Sequence, residues 1–188
     1  MNLNIYINGV GGQGVGVLAA MIGEIFFDLG YKVIGSDTHG LAQRHGSVSS
    51  HIRIGEFYYP LIEKNSADFV LSLERLEALR ASEEYLKPNG TLIFYDSIYQ
   101  PALVRIGSKK YPDMADLKSV CDLKKSKMIR IKIDQLRDYR KQNVAILSVF
   151  IRELKNISDE KVLPIFKKYV KYDLEENIKI YNLSKNIN

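Results

Sequence analysis

The feature that most constrains this chain is a glycine-rich run near its start, Gly9-Val-Gly-Gly-Gln-Gly14. A short β-rich segment at residues 4–8 precedes it, and an apolar segment of helical length at 18–27 follows it. A glycine turn between a strand and a helix is typical of phosphate binding, because the helix dipole and free N–H groups favour an anion there. We therefore predict that Gln13 lies in the first helical turn, that the N–H groups of Gly11 to Gly14 point to one site, and that a cofactor or other anion contacts Gly9, Gly11, Gly12, Gln13 and Gly14.

Two alternatives for this turn stay open. A nicotinamide enzyme carries an acidic residue about 20 residues further on, at the end of the second strand, to bind the ribose. The first acid after the predicted second strand is Asp37, which comes late and lies in a polar loop. The glycines could also serve only the close packing of a helix on a strand. A stand-alone nucleotide-binding oxidoreductase and a purely structural subunit are therefore both retained as alternatives.

Composition sets the class of protein. The chain has 188 residues, 46% apolar and 26% charged, which is typical of a globular domain. Its one cysteine, Cys121, allows no intrachain disulfide and cannot supply the four thiolates of an iron–sulfur cluster. The net charge of +5 comes without a nucleic-acid motif, and there is neither a membrane-length apolar run nor a leader-like start. We expect a cytoplasmic protein that binds neither nucleic acid nor membrane.

Alternating strand and helix patterns predict an α/β fold, a Rossmann-like open sheet with mostly parallel strands and C-terminal helices. We expect one domain over 1–188, with the sheet core at 1–135 and the helical part at 136–188. Residues 55–56 are predicted to form a hairpin turn and residues 97–127 an irregular stretch. The predicted strands are 3–8, 32–36, 46–54, 57–62, 68–73, 91–95 and 128–133, and the predicted helices are 13–29, 74–86, 140–154, 158–170 and 173–184.

The strand at 46–54 carries an unusual polar face. Alternation places Ser47, Ser49, His51 and Arg53 together, opposite a largely apolar face. We predict that this face, continued by loop residues of similar character, meets a partner or a ligand. The predicted interface or ligand-facing residues are His39, Gln43, Arg44, Ser47, Ser49, His51 and Arg53.

Other interpretations of residues 39–53 are weaker or less specific. A polar strand face can simply meet water. The three histidines, His39, His45 and His51, have no standard zinc spacing, and the segment lacks a full serine-hydrolase motif. We assign no catalytic residue and no metal site in this chain.

The glycine turn taken together with residues 38–44 and 47–55 resembles the gamma domain of the 2-oxoacid:ferredoxin oxidoreductases. Residues 67–80 and 86–91, with Asn143, add to the similarity, and the run at 73–80 favours the indolepyruvate branch, whose small (beta) subunit is the closer match. The chain departs from the family pattern at His45 and Ser148, where glycine is common.

The resemblance implies an accessory subunit of an enzyme that oxidatively decarboxylates an aryl 2-oxoacid to an acyl-CoA and reduces ferredoxin. It implies a large (alpha) subunit that holds thiamine diphosphate and the iron–sulfur clusters, with no cofactor in this chain and no activity in isolation. The glycine turn would face a CoA phosphate or the partner, and a homodimer could form in isolation. A gamma subunit of a pyruvate or 2-oxoisovalerate enzyme is the nearest alternative.

Overall fold

The computed structural model describes residues 1–38, 46–99, 111–133, 136 and 138–187, which form a six-stranded sheet flanked by helices. The strands are β1 (Leu3–Val10), β2 (Val33–Thr38), β3 (Ser47–Ile54), β4 (Ala67–Ser72), β5 (Leu86–Tyr95) and β6 (Lys127–Ile131). The helices are α1 (Val15–Asp28), α2 (Arg75–Glu84), α3 (Met114–Leu123), α4 (Gln142–Leu154), α5 (Asp159–Tyr169) and α6 (Leu174–Ser184).

The sheet has the order β2-β3-β1-β4-β5-β6. β1, β4, β5 and β6 are parallel, whereas β3 runs antiparallel to both of its neighbours, β1 and β2. The predicted α/β class with a mostly parallel sheet is confirmed. Because β3 lies between β1 and β2, the strand that comes after α1 along the chain is not the neighbour of β1. The carboxyl ends of β1, β4 and β5 meet at one edge of the sheet, and the glycine turn lies at that edge.

Two hydrophobic cores lie on opposite faces of the sheet. Ile5 and Ile7 of β1 face a larger core with α1 and α4, whereas Tyr6 between them faces a smaller core with α2 and α3. Phe150, Phe166 and Tyr181 are fully buried and belong to the larger core. The C-terminal helices therefore share one core with the sheet. None of the described helices is long and apolar enough to cross a lipid bilayer.

The departure at Ser148 has a packing role in this fold. The side chain is fully buried in α4, and its hydroxyl donates a hydrogen bond of 2.5 Å to the carbonyl oxygen of Tyr181 in α6. A glycine at this position would leave that carbonyl without this donor. The hydroxyl thus ties the last helix to the centre of the helical layer.

The predicted strand at 57–62 is wrong, and with it the hairpin at 55–56. Gly55 ends β3 in a left-handed conformation, with φ of 113°. The guanidinium of Arg53 then donates to the carbonyl oxygens of Tyr59 and Leu61, at 3.1 and 3.2 Å. These carbonyls are occupied by a side chain rather than by a neighbouring strand, so the segment forms a bent loop.

Two further boundaries differ from the prediction. α3 lies within the stretch predicted to be irregular, and it begins with a capping box between Asp113 and Asp116, a pattern readable from the sequence. α2 ends at Glu84, before the predicted end at residue 86, and β5 begins at Leu86. The turn-like residues 87–90 form an irregular start of that strand, where Asn89 has φ of 61° and the pairing register with β4 shifts.

Candidate functional site: the glycine turn and its groove

The glycines of the turn serve different purposes. Gly14 precedes α1 as its N-cap with φ of 85°, and Gly12 has φ of 98°, conformations that other residues rarely adopt. A β-carbon at Gly14 would lie 2.6 Å from Nδ2 of Asn143. A β-carbon at Gly9 would lie 2.9 Å from Oε1 of Gln13. Backbone conformation therefore requires glycine at positions 12 and 14, and close packing requires glycine at positions 9 and 14.

Gln13 joins the ends of three strands to the start of α4. Its Oε1 accepts a hydrogen bond from the N–H of Val10 at 2.7 Å. Its Nε2 lies 3.0 Å from the carbonyl oxygen of Leu73, 3.3 Å from Oγ of Ser97 and 3.2 Å from Oε1 of Gln142. The Val10 bond fixes the orientation of the amide, so its two N–H hydrogens serve three acceptors. The side chain is 6% exposed and works as an internal brace.

The predicted helix position of Gln13 and the predicted direction of the turn's donors are partly wrong. α1 begins at Val15, so Gln13 lies before the helix rather than in its first turn. The N–H of Gly11 donates to the carbonyl oxygen of Gly46, and the N–H of Gln13 donates to that of Val10. Within the described residues, the N–H groups of Gly12 and Gly14 make no hydrogen bond. Two of the four N–H groups that the pattern predicts to be free are therefore engaged within the chain. The donors that remain are those of Gly12 and Gly14 and the N–H groups of the first helical turn.

A groove of about 500 Å³ lies beside the turn. Asp37 lies at its rim, and the carboxylate accepts a 2.5 Å hydrogen bond from Oγ of Ser50. A smaller cavity of about 240 Å³ continues along α1 and shares Gly16 and Asp37 with the groove. A carboxylate beside the turn repels anions, and the repulsion grows with the charge of the anion. The groove is lined by Gly11, Gly12, Gly14, Val15, Gly16, Val17, Asp37, Thr38, Val48 and Ser49.

The polar face of β3 is occupied largely by the chain itself. Oγ of Ser47 donates to Oε2 of Glu77 at 2.6 Å. Burial raises the pKa of Tyr6, which lies on the same side of the sheet, to about 12. Nε of Arg53 donates to Oδ1 of Asn4 at 2.9 Å.

His51 lies in the interior, which corrects its predicted place on an exposed surface. It is 5% exposed, and its ring stands edge-on to those of Tyr6 and Tyr85 at centroid distances of 4.9 and 5.5 Å. Its Nδ1 accepts a hydrogen bond from the N–H of Ile62 at 3.1 Å, so the neutral ring carries its hydrogen on Nε2. Burial lowers the pKa of the imidazole, which favours this neutral form. The predicted residues His39, Gln43 and Arg44, like His45, lie outside the described residues.

Buried acids at the same edge of the sheet were not predicted as site residues. Glu74 caps α2 by accepting from the N–H groups of Glu77 and Tyr99 at 3.0 and 3.2 Å. It is 1% exposed, and burial raises its pKa to about 7. The acidic pair Glu74 and Glu77 just after a strand was the available signal, since the side-chain oxygen of an N-cap residue accepts from the N–H three residues later.

Asp96 is paired, unlike Glu74. Nε of Arg75 and Nε of Arg130 donate to its two oxygens at 2.6 and 2.8 Å. Burial alone would raise the pKa of Asp96, but the two guanidinium groups outweigh it and hold the pKa below its usual value. Among the described residues, no group of three or more His, Cys, Asp or Glu side chains is arranged to hold a metal ion.

Comparisons with known proteins agree with this architecture. An indolepyruvate oxidoreductase subunit IorB from Archaeoglobus fulgidus is 39% identical over 117 residues, which are 62% of this chain and 58% of that protein. A subunit IorB from Methanothermobacter thermautotrophicus is 38% identical over 122 residues, 65% of this chain and 62% of that protein. The aligned part thus spans about three fifths of the length of these curated relatives.

A solved structure shows the same fold within a longer chain. The 2-oxoglutarate:ferredoxin oxidoreductase from Magnetococcus marinus superposes with a TM-score of 0.70 at 18% identity, over 98% of this chain and 30% of that one. The family model described as pyruvate ferredoxin/flavodoxin oxidoreductase matches residues 4–186. Because that match takes in nearly the whole sheet and all of its helices, the chain belongs to the pyruvate ferredoxin/flavodoxin oxidoreductase family.

Proposed function

We propose that this chain is the small subunit of an indolepyruvate:ferredoxin oxidoreductase, which oxidatively decarboxylates an aryl 2-oxoacid to an acyl-CoA and reduces ferredoxin. The observation that carries the proposal is the similarity, at 38–39% identity, to subunits of indolepyruvate oxidoreductases. In this proposal a large subunit supplies thiamine diphosphate and the iron–sulfur clusters. The single cysteine of this chain, Cys121, is buried in the smaller core, so the chain cannot build a four-thiolate cluster itself.

The geometry of the turn supports an accessory role. Gln13 and two of the turn's N–H groups are engaged inside the chain, so the glycine motif mainly braces the edge of the sheet. Gly12 and Gly14, whose N–H groups make no hydrogen bond within the described residues, line the groove, and in this proposal they bind one anionic group, such as a CoA phosphate or a carboxylate of the partner. We also propose that His39, Gln43 and Arg44, which precede Ser47 and Ser49 along the chain, contact the partner or a ligand.

The topology weighs against a nicotinamide enzyme. In a dinucleotide-binding fold the ribose-binding acid ends the strand next to β1. Here β3 occupies that place, and Asp37 lies at the end of β2, one strand further away. Its carboxylate is already hydrogen-bonded to Ser50. A stand-alone dehydrogenase is therefore the weaker alternative.

Reconstitution tests the proposal. The purified chain should contain no iron and should not oxidise indolepyruvate. Mixing it with the large indolepyruvate oxidoreductase subunit of the same genome should give CoA-dependent ferredoxin reduction with indolepyruvate, well above the rate of the large subunit alone. Pyruvate and 2-oxoisovalerate as substrates distinguish the related enzymes. NAD(P)-dependent activity of the isolated chain, or no complex and no rate increase with the large subunit, would contradict the proposal.

A second experiment addresses the groove. Titration calorimetry of the isolated chain with CoA and with inorganic phosphate measures whether the turn accepts an anion. Gly12→Ala should weaken any such binding, because an alanine at φ of 98° distorts the turn. Gly30→Ala is the matched control, since Gly30 also has a positive φ but lies at the far end of α1.

A further inference from the structure

A buried histidine holds the end of the loop at 55–62, which follows β3. Nδ1 of His51 accepts a hydrogen bond from the N–H of Ile62 at 3.1 Å, and the two residues are only 5% and 4% exposed. Ile62 packs in the smaller core, so this bond joins the end of the loop to the interior of the chain.

The bond requires the neutral form of the imidazole. Since Nε2 already carries the hydrogen of the neutral ring, a second proton would go to Nδ1 and face the N–H of Ile62, donor against donor. A charged ring at this depth would also have left water without gaining a new acceptor, which is costly. Protonation of His51 therefore breaks the bond and favours a state in which the ring reaches water.

The side chains that surround the ring offer little compensation for a positive charge. Tyr6 of β1 and Tyr85, which follows α2, place their rings edge-on to His51, and neither carries a charge at neutral pH. Glu77 and Glu84 act on the pKa of Tyr6. The pKa of His51 is lowered by burial, and no carboxylate among the described residues raises it.

The other neighbouring elements are neutral or positive where they meet this ring. In the strand register, β2 places Ser36 opposite His51. Arg53 lies on the same face of β3 and donates into the middle of the loop, so a protonated His51 would add a second positive charge beside it. Glu56 and Glu63, within and just after the loop, are exposed, and solvent screens their charge.

We propose that His51 is a pH-sensitive switch, in which protonation of the imidazole releases the N–H of Ile62 and opens the loop at 55–62. The loop is closed at neutral pH, because burial holds the pKa of His51 below its ordinary value of 6.5. The stability that the closed loop contributes is fully present above this ordinary pKa and is lost as pH falls below it. The proposal does not depend on the proposed function, since it uses only contacts within this chain.

Residue-resolved hydrogen exchange at pH 7.5 and pH 5.0, corrected for the intrinsic exchange rate at each pH, tests the switch. In the wild type, the protection of the Ile62 amide should fall about tenfold at pH 5.0, because the opened ring binds a proton that the closed ring excludes. The protection of amides in β1 and α4 should stay the same. In the same sample, the ring signals of His51 and the amide signal of Ile62 should titrate together.

Two substitutions of His51 separate its acceptor from its titration. His51→Asn places Oδ1 where Nδ1 lies and does not titrate, so the Ile62 amide should keep its protection at both pH values. His51→Leu has no acceptor, so that protection should be reduced at both. Glu74→Gln is the matched control, since it removes the other buried group that titrates near neutral pH, and it should retain the wild-type loss of protection.

Three results would overturn the proposal. Equal protection of the Ile62 amide at pH 7.5 and pH 5.0 in the wild type would show that the loop does not respond to the proton. A wild-type loss of protection in His51→Asn would assign the response to another group. Loss of protection throughout β1 and α4 at pH 5.0 would mean that acid unfolds the whole chain and does not open the loop alone.

Discussion

At the residue scale, buried polar side chains hold together the edge of the sheet where β1, β4 and β5 end. Gln13 is the central case, because one amide closes contacts among β1, the end of β4, the end of β5 and the start of α4. The sequence indicated a glutamine facing a ligand. The structure instead places the side chain where its loss would leave several buried groups without partners.

Gln13→Ala should therefore lower the free energy of unfolding by about 2–4 kcal/mol, since each buried unpaired polar group costs about 1–3 kcal/mol. Gln142→Ala, which removes one of the same contacts, should cost about 1 kcal/mol. Urea unfolding followed by circular dichroism measures both values. A Gln13→Ala protein of wild-type stability that no longer binds an anion would restore the ligand role for this side chain.

Glu74 should make stability depend on pH. Burial raises its pKa in the folded chain to about 7, above its ordinary value, so the folded state binds the proton more tightly than the unfolded state. This contribution is fully present below the unfolded pKa and is lost as pH rises through about 7. Stability should fall over that window by an amount on the order of 3 kcal/mol.

The Glu74→Gln variant removes the titrating group and should flatten that part of the profile, measured as the free energy of unfolding from pH 4 to pH 8. The exposed Glu63→Gln is the control and should match the wild type. A Glu74→Gln profile with the same slope as the wild type between pH 5 and pH 7 would contradict the assignment to this residue.

At the element scale, side-chain contacts of β3 decide the conformation of the segment after it. The alternation of Ser47, Ser49, His51 and Arg53 on one face was predicted from the strand period, and the apolar opposite face does join the larger core through Ile52 and Ile54. The side chains of the polar face contact α2, β1 and the loop at 55–62 of the same chain, so they do not form an open surface.

Arg53→Met should loosen the loop at 55–62. The loop loses the donors to two carbonyl oxygens, so limited chymotrypsin digestion should cut it faster than in the wild type, while the fold remains. The stability loss should be about 1–3 kcal/mol, since these are hydrogen bonds from a charged group. Lys64→Met, which removes only an exposed ion pair, should change neither quantity. Equal digestion rates for Arg53→Met and the wild type would show that the loop keeps its shape without the guanidinium.

At the scale of the whole molecule, the sheet and the C-terminal helices depend on one another. Phe150, Phe166 and Tyr181 lie in the same core as the strands, and Ser148 joins α4 to α6. The division into a sheet core and a helical part therefore describes the order of elements along the chain. Because the two parts share one core, we expect them to fold as one unit.

The chain should then unfold in a single cooperative transition, with coincident curves from tyrosine fluorescence and far-ultraviolet circular dichroism. A fragment of residues 1–133 should fail to fold, because removing the helical part exposes the larger core. The shorter deletion of residues 186–188 serves as the control and should fold. A cooperative melt of the 1–133 fragment would show that the sheet is an independent unit.

The sequence by itself determined the α/β class, the glycine turn after the first strand, the two-faced character of β3 and the membership of the family. These depend on local periodicity and on short motifs, which neighbouring residues encode. Only the tertiary structure decided that β3 lies between β1 and β2, that Gln13 points inward, that His51 is buried and that residues 57–62 form a loop. The first three depend on partners more than ten residues away, such as Leu73 for Gln13 and Ile62 for His51. The loop depends on Arg53, six and eight residues before the carbonyls it binds, and the alternation of residues along the chain carries no record of either kind of contact.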